Sequence, residues 1–140
     1  MPEVVKNLMN REVITIYDDR TVMDAAKLMT TNQVSSLIVE KSQNAIGIIS
    51  ERDFVGKVCS KDLLSSRILV SDIMSSVIVT AEPDTPLEVA VQRMINHKIR
   101  RLPVLEKGKI VGIVTVTDLA KELRKFVLQE GVLYDLLKSQ

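Results

Sequence analysis

The stretch GIISERD at positions 47–53 returns 65 residues later as GIVTVTD at positions 112–118, and this repetition decides the fold. At the same offset eleven residues coincide without a gap, against about three expected for a chain of ordinary composition. The chain therefore contains two copies of one unit. In the first copy the coinciding residues are Val5, Met9, Thr15, Asp19, Ala25, Met29, Leu37, Val39, Gly47, Ile48 and Asp53.

Each copy carries an amphipathic helix in its first half. Apolar residues at i, i+3, i+4 and i+7 give a helix one buried face. Thr21 is predicted to cap the first of these helices, and Thr85 the second. The apolar positions are Val22, Ala25, Ala26 and Met29 in the first copy and Leu87, Ala90, Val91 and Met94 in the second.

Two short β-like runs follow each helix, and polar spacers at 42–44 and 106–108 predict hairpin turns between them, with Gly108 supplying a positive φ. A second helix then opens at Glu51 and at Val116. Each unit is thus predicted to be β-α-β-β-α, and the fold class α+β. The paired runs are 36–40 with 45–50 and 102–105 with 109–114, and the leading β-like segments are 13–15 and 77–80.

A unit of about sixty residues buries too little surface to be stable alone. The two pseudo-symmetric units are therefore predicted to pack through their sheets, which leaves two clefts where equivalent loops face each other. We predict the units at 1–65 and 66–128 and a C-terminal helical tail at 129–140. The apolar residues in and beside this tail, which would pack on the units or on a second chain, are Leu128, Val132, Leu133, Leu136 and Leu137.

The composition argues against several classes of protein. The net charge is +1 and only 3% of residues are aromatic, which disfavours nucleic-acid binding as the function. The lone cysteine, Cys59, cannot form an internal disulfide, and no apolar stretch is long enough to cross a membrane, so we expect a soluble cytoplasmic protein. No nucleophile elbow, Walker loop or zinc-ligating helix motif is present, so we expect no catalysis and no metal site.

The repeated stretch itself joins a strand to a helix N-terminus, where unsatisfied N–H groups and the helix dipole favour an anion. The spacing from Ser50 to Asp53 and from Thr115 to Asp118 is equally that of a capping box without any ligand. A dense basic cluster, HKIRR at 97–101, is open to the same two interpretations, as a solvated helix end or as a phosphate contact.

The 65-residue repeat, VSDIM at 70–74, IRRLPV at 99–104 and the two junctions together resemble the CBS domain family, named for cystathionine β-synthase, from about Val5 to Lys125. The resemblance implies a disc-like domain pair, often called a Bateman module, that acts without catalysis. Many such pairs bind AMP, ADP, ATP or S-adenosylmethionine between the domains and thereby regulate a partner protein. A homodimer is expected, because such discs commonly pair.

The resemblance also implies site residues. One adenine-nucleotide site would use Thr115, Thr117, Asp118 and Arg101 with Thr15, Val34 and Ser35 from the first copy. The symmetric site would use Ser50, Arg52 and Asp53 with Thr80, Ile99 and Arg100. Because Ser36 stands in the position of Arg101, and Thr117 in that of Arg52, the two sites are predicted to differ in affinity. The alternatives are a scaffold that dimerises without ligand, S-adenosylmethionine binding and, ranked last, nucleic-acid binding.

Overall fold

The repeat in the sequence is matched by a repeat of structure. The computed structural model describes residues 3–77, 79–129, 131 and 138. Six strands and five α-helices follow one another, with short 3-10 helices at Val5–Asn7, Cys59–Lys61 and Ser65–Arg67 in the described residues. In chain order they are β1 (Thr15–Tyr17), α1 (Val22–Asn32), β2 (Ser36–Lys41), β3 (Asn44–Ser50), α2 (Glu51–Lys57), α3 (Val70–Ile73), β4 (Ser75–Ser76), α4 (Leu87–His97), β5 (Arg101–Glu106), β6 (Lys109–Thr115) and α5 (Val116–Gln129).

The predicted α+β class and the pseudo-symmetric units are confirmed. In the first half β1 runs parallel to β2, which pairs antiparallel with β3, and β3 pairs with β4. In the second half β5 and β6 form the same hairpin. The counterpart of β1 there is a parallel bridge between Ala81 and Val104, just after the predicted leading segment.

Each hairpin turns through two residues with positive φ. They are Ser42 (φ 51°) and Gln43 (φ 67°) in the first copy and Lys107 (φ 52°) and Gly108 (φ 79°) in the second. Two successive positive φ angles match the twist of the flanking strands. The predicted spacers are one residue too long, because Asn44 and Glu106 pair within the ladders.

One of the two predicted helix caps is correct. The Thr21 hydroxyl accepts a bond from the Asp24 amide at 3.1 Å, and the Asp24 carboxylate accepts one from the Thr21 amide at 3.2 Å. The prediction for Thr85 is wrong, because its hydroxyl accepts a bond from the Glu82 amide instead. The first amide of α4, on Leu87, donates to the Glu3 carbonyl at 2.9 Å.

This bond from α4 to the N-terminal segment belongs to a symmetric exchange, in which the segment 3–9 packs on the second half and the segment 68–74 packs on the first. The Val5 amide donates to the Thr85 carbonyl at 2.9 Å, and 65 residues later the Val70 amide donates to the Arg20 carbonyl at 2.8 Å. Val5 and Met9 accordingly pack in the hydrophobic cluster of the second half, and Val70 in that of the first. The division into units at 1–65 and 66–128 stays a prediction, and each core is completed by a segment from the other copy.

Two glycines make room for this exchange. A Cβ on Gly47 would lie 2.5 Å from the Met74 sulfur, and a Cβ on Gly112 would lie 2.5 Å from the Met9 sulfur. Atoms do not approach this closely without a shift of the neighbour. The repeated Gly and Met of the sequence are thus explained by packing.

The two sheets meet through the faces that point away from these clusters. Leu37 and Val39 lie in the first cluster, whereas Ile38 between them is fully buried outside it. Its counterpart Pro103 is buried in the same way, and β3 contacts β6. Alternate residues of one strand therefore serve the core and the contact between halves, as a period of two requires.

The predicted tail is only partly described. Leu128, at the end of α5, is exposed. Val132, Leu133, Leu136 and Leu137 lie outside the described residues. Within the part of the chain that is described, no helix combines the length and apolar character needed to cross a bilayer.

Candidate functional site

Two clefts open where the strand-to-helix junctions face the opposite half. Cleft 1 has a volume of about 490 Å³ and lies between the junction at 50–53, residues 75–77 and 79, and the segment 98–101. Cleft 2 has a volume of about 340 Å³ and lies between the junction at 115–117, the segment 10–14 and the segment 33–36. Each segment of one cleft has its equivalent 65 positions away in the other, so the clefts are related by the pseudo-twofold axis.

Most predicted site residues line these clefts. Thr80 does not line cleft 1; its carbonyl accepts a bond from Arg93. Thr15 and Asp118 do not line cleft 2; Thr15 pairs with Ile38 in the sheet, and Oδ2 of Asp118 is bonded to Thr115. The roles of all these residues in binding stay predictions. Those that line cleft 1 are Ser50, Arg52, Asp53, Ile99 and Arg100, and those that line cleft 2 are Val34, Ser35, Arg101, Thr115 and Thr117.

The second junction closes on itself. Oδ2 of Asp118 accepts bonds from the Thr115 amide at 2.9 Å and the Thr115 hydroxyl at 3.0 Å, and that hydroxyl accepts a bond from the Asp118 amide at 3.2 Å. The capping interpretation is therefore realised. It uses only one carboxylate oxygen, and Oδ1 of Asp118 makes no hydrogen bond to any described residue.

The first junction uses both carboxylate oxygens. Oδ2 of Asp53 accepts bonds from the Ser50 amide at 2.9 Å and the Ser50 hydroxyl at 3.3 Å. Oδ1 pairs with Lys57 at 3.1 Å, and the same ammonium donates to the Ile73 carbonyl at 2.8 Å. Lys57 thus ties α2 to the end of α3. The sequence signal for this pair was the i, i+4 spacing of opposite charges on a helix.

Cleft 1 is lined by four basic side chains, Arg52, Lys98, Arg100 and Arg101, against two acidic ones. The first three side chains make no hydrogen bond or ion pair within the described part of the chain. Lys98 ends α4 with a φ of 54°, a left-handed C-cap that turns the chain towards β5 and so towards the cleft. The sequence analysis placed Lys98 in a basic cluster but did not assign it to a site.

Cleft 2 is less basic. Its lining includes Arg100 and Arg101 again, together with Glu12. Nη2 of Arg101 donates to the Ser35 hydroxyl at 3.0 Å, which joins the two halves at the boundary between the clefts. Unpaired guanidinium groups beside a cavity favour phosphate or carboxylate ligands. No cluster of His, Cys, Asp and Glu suited to a metal ion occurs among the described residues.

Comparisons with known proteins agree with this geometry. The family model described as CBS domain matches twice, at residues 5–60 and 70–125. The CBS domain-containing protein YhcV of Bacillus subtilis is 34% identical over 116 residues, which are 83% of this chain and 82% of that protein. An uncharacterized protein of Methanopyrus kandleri is 38% identical over 117 residues, which are 82% of this chain and 60% of that protein. The chain thus matches less than two thirds of the latter's length.

Solved structures share the fold. A conserved protein from Pyrococcus horikoshii superposes with a TM-score of 0.78 at 31% identity, covering 86% of this chain and 92% of that one. The CBS domain pair of protein MJ0100, solved with 5′-methylthioadenosine and S-adenosyl-L-methionine, superposes with a TM-score of 0.79 at 24% identity, covering 89% and 98%. At that identity the second likeness establishes the fold alone.

Proposed function

This chain belongs to the CBS domain family, whose paired domains are typically regulatory, and we propose that it is a regulatory module binding an adenine nucleotide in the clefts between its halves. The ligand is AMP, ADP or ATP, and it acts as an effector, not as a substrate. Binding changes how the halves meet and so how the module contacts a partner protein.

The observation that carries this proposal is the charge of cleft 1. Three cations without a partner among the described residues, Arg52, Lys98 and Arg100, line one cavity of about 490 Å³. Like charges gathered in one place repel one another unless an anion lies between them. A phosphate group supplies the charge, and its oxygens accept the parallel bonds that a guanidinium donates.

The remaining lining suits a nucleoside. Ile99 and Val79 are half-buried apolar side chains of cleft 1, and Val34 has the corresponding place in cleft 2. Flat apolar surfaces of this kind accommodate an adenine ring. Asp118 is hydrogen-bonded to Thr115 of the cleft 2 lining through Oδ2, and its Oδ1, which has no partner among the described residues, is a candidate acceptor for ribose hydroxyls.

The same charges argue against S-adenosylmethionine in cleft 1. Its sulfonium is positive, and a lining of four basic and two acidic side chains repels it. Phosphate-bearing ligands are therefore favoured over sulfonium or uncharged adenosine compounds at this cleft.

Isothermal titration calorimetry with AMP, ADP and ATP tests the proposal. We expect at least one of them to bind with a Kd below about 1 mM. Arg100→Ser, which copies Ser35 at the equivalent position, should weaken that binding about tenfold, because a charge-assisted bond is lost. The exposed Arg67, which lies outside both clefts, gives the matched control: Arg67→Ser should change the Kd by less than about twofold. Absence of binding by all three nucleotides at millimolar concentration overturns the proposal.

A separate observation favours a second element of function, a homodimer. Helix α5 exposes Leu123, Phe126 and Leu128, with 62%, 51% and 56% of their surfaces accessible. Leu123 and Phe126 are three residues apart and therefore share one face of the helix. We propose that a second copy covers this face. Leu123→Glu combined with Phe126→Glu should convert a dimer to a monomer in sedimentation velocity, and an unchanged mass would contradict this interface.

We propose that the protein acts in the cytoplasm. Cys59 is the only cysteine of the sequence, and its side chain is exposed and free. An exposed free thiol is compatible with a reducing compartment. Labelling of Cys59 in intact cells before and after permeabilisation would check this.

A further inference from the structure

We infer that the two clefts share one pair of arginines, Arg100 and Arg101, and that a phosphate-bearing ligand in cleft 1 thereby weakens the binding of a second one in cleft 2. The inference rests on the proposed nucleotide function and adds a rule for how the two sites interact. It predicts negative coupling between identical ligands bound to one chain.

The shared pair follows from the geometry at the boundary between the clefts. Ser35, Arg100 and Arg101 line both cavities. The bond of 3.0 Å from Arg101 to the Ser35 hydroxyl crosses from one half to the other. It is the one side-chain bond of Arg101 within the described residues, and Arg100 has none. Arg100 is therefore free to turn towards an anion in either cleft, and Arg101 can do so by giving up one exposed hydrogen bond.

Broken symmetry explains why the pair must be shared. The pseudo-twofold axis relates Arg100 to Ser35 and Arg101 to Ser36. The second copy thus contributes both central cations and the first copy contributes only hydroxyl groups. A fully symmetric module would carry two arginines for each cleft, whereas this one has two for both.

The remaining charges decide which cleft wins. Cleft 1 adds Arg52 and Lys98 to the shared pair, together with the carboxylates of Glu51 and Asp53, of which Asp53 is already paired with Lys57. Cleft 2 adds only Glu12. When a phosphate in cleft 1 engages Arg100 and Arg101, cleft 2 is left with a carboxylate and no cation of its own in its lining. A second phosphate then meets repulsion instead of attraction, since electrostatic interactions in a partly enclosed site are screened less than in water.

Titration of the intact protein with AMP tests the coupling. We expect two steps per chain, the second at least about fivefold weaker than the first, which is the lower end of usual coupling between sites. Unequal independent clefts would also give two steps, so a variant that blocks cleft 1 is needed. Ser76→Trp fills cleft 1 from β4, and Ser66→Trp, at an exposed position outside both clefts, is its matched control.

With cleft 1 filled, coupling predicts a single AMP step about fivefold tighter than the second step of the natural protein, because the arginines are released to cleft 2. A step equal in affinity to the natural second step means independent clefts and overturns the inference. Persistence of the tight first step in Ser76→Trp overturns it too, because AMP would then prefer another site than cleft 1.

A second variant restores the missing symmetry and does not depend on the folding of the first. Ser36→Arg supplies cleft 2 with the counterpart of Arg101. It should strengthen the second AMP step at least about fivefold, because a third central arginine remains for cleft 2 when a ligand in cleft 1 engages the other two, and Ser66→Arg should change neither step. An unchanged second step in Ser36→Arg contradicts the inference. If AMP, ADP and ATP all fail to bind the natural protein, the proposed function itself has failed; two AMP steps without the expected variant effects refute the coupling alone.

Discussion

The two strand-to-helix junctions have the same backbone and opposite electrostatic surroundings. In both, the aspartate three residues after the strand end accepts a bond of 2.9 Å from the amide of the last strand residue. Four residues further on, the first copy has Lys57, which pairs with Asp53, and the second copy has Glu122. Arg52 of the first junction is replaced by Thr117 in the second. The two junctions thus share the hydrogen bond that caps the helix and differ in the charged side chains around it.

This comparison separates what the repeat preserves from what it varies. Most residues that are identical in the two copies, such as Val5, Met9 and Gly47 with their counterparts, lie in the cores or beside the exchanged segments 3–9 and 68–74. Three of the positions that differ, 36, 52 and 57, lie at the clefts or at a junction. Duplication therefore accounts for the architecture, whereas departures from duplication give each cleft its own charge.

The largest difference between the halves is expected for the two packed glycines. In Gly47→Ala the new methyl group would lie 2.9 Å from the backbone oxygen of Ser75 as well as against Met74, and backbone cannot move aside. In Gly112→Ala both contacts under 3.0 Å involve the flexible Met9 side chain, with backbone at 3.2 Å. We expect Gly47→Ala to lower the free energy of unfolding by about 2–3 kcal/mol and Gly112→Ala by about 1 kcal/mol.

Urea denaturation of both variants measures this contrast, with Gly56→Ala as the control. Gly56 lies in α2, and a methyl group added there would have no neighbour within 4 Å. An alanine at this position should raise the free energy of unfolding by about 0.5–1 kcal/mol, because the unfolded chain loses freedom. Equal losses for Gly47→Ala and Gly112→Ala would mean that the segments packed against the two glycines shift equally easily, and would contradict this prediction.

The next effect concerns the ion pair that only the first junction has. Lys57→Met keeps the aliphatic stem but removes the bonds to Asp53, whose side chain is 12% exposed, and to the Ile73 carbonyl. Because the Lys57 side chain is itself 43% exposed, we expect a loss of only about 1 kcal/mol in the free energy of unfolding.

Glu122→Met is the matched substitution in the second copy. Glu122 makes no side-chain hydrogen bond or ion pair to a described residue, so its replacement should change the free energy of unfolding by less than about 0.5 kcal/mol. Thermal or urea unfolding of the two variants side by side measures the difference. Similar values for both would show that the pair between Lys57 and Asp53 contributes nothing to stability.

Local signals predicted the amphipathic helices, the hairpins and the helices that follow them, whereas α3 and β4 were not predicted and β1 lies at Thr15–Tyr17 instead of 13–15. Helical spacing, the capping pair of Thr21 and Asp24, and turn residues such as Gly108 act within a few positions of the chain. The exchange of the segments 3–9 and 68–74 could not be predicted, since it depends on the Gly47–Met74 and Gly112–Met9 contacts between residues distant in the sequence. Thr85 was misassigned because the N-cap of α4 is the next residue, Pro86, which has no side-chain acceptor, and the Thr85 hydroxyl accepts a bond from the Glu82 amide instead.

The candidate site was predictable in composition and not in geometry. The junction motifs and the basic cluster identified most of the residues that line the clefts. The pair between Lys57 and Asp53 had a local signal in its i, i+4 spacing, whereas the position of Arg100 and Arg101 beside both cavities depends on how the halves meet. No local pattern contains that information, because the two halves are joined by contacts between residues far apart in the sequence, such as Val5 with Thr85 and Asn10 with Ile113.

The smallest effect expected is also the most direct test of the unequal clefts. Arg52 and Thr117 are the third residues of their junctions and lie at exposed helix positions. The substitutions Arg52→Thr and Thr117→Arg give each cleft the side chain of the other. The Arg52 side chain makes no bond within the described residues, so its loss should leave the fold intact while weakening the first AMP step about threefold, as suits a solvent-exposed charge. Thr117→Arg should strengthen the second step by a similar factor.

Because both effects are electrostatic, the changes in affinity should become smaller when the calorimetry is repeated at high salt, where charges are screened over about 3 Å. An effect of Arg52→Thr that is independent of salt would indicate that Arg52 shapes cleft 1 by packing, and the charge contrast between the junctions would then not be the cause of unequal binding.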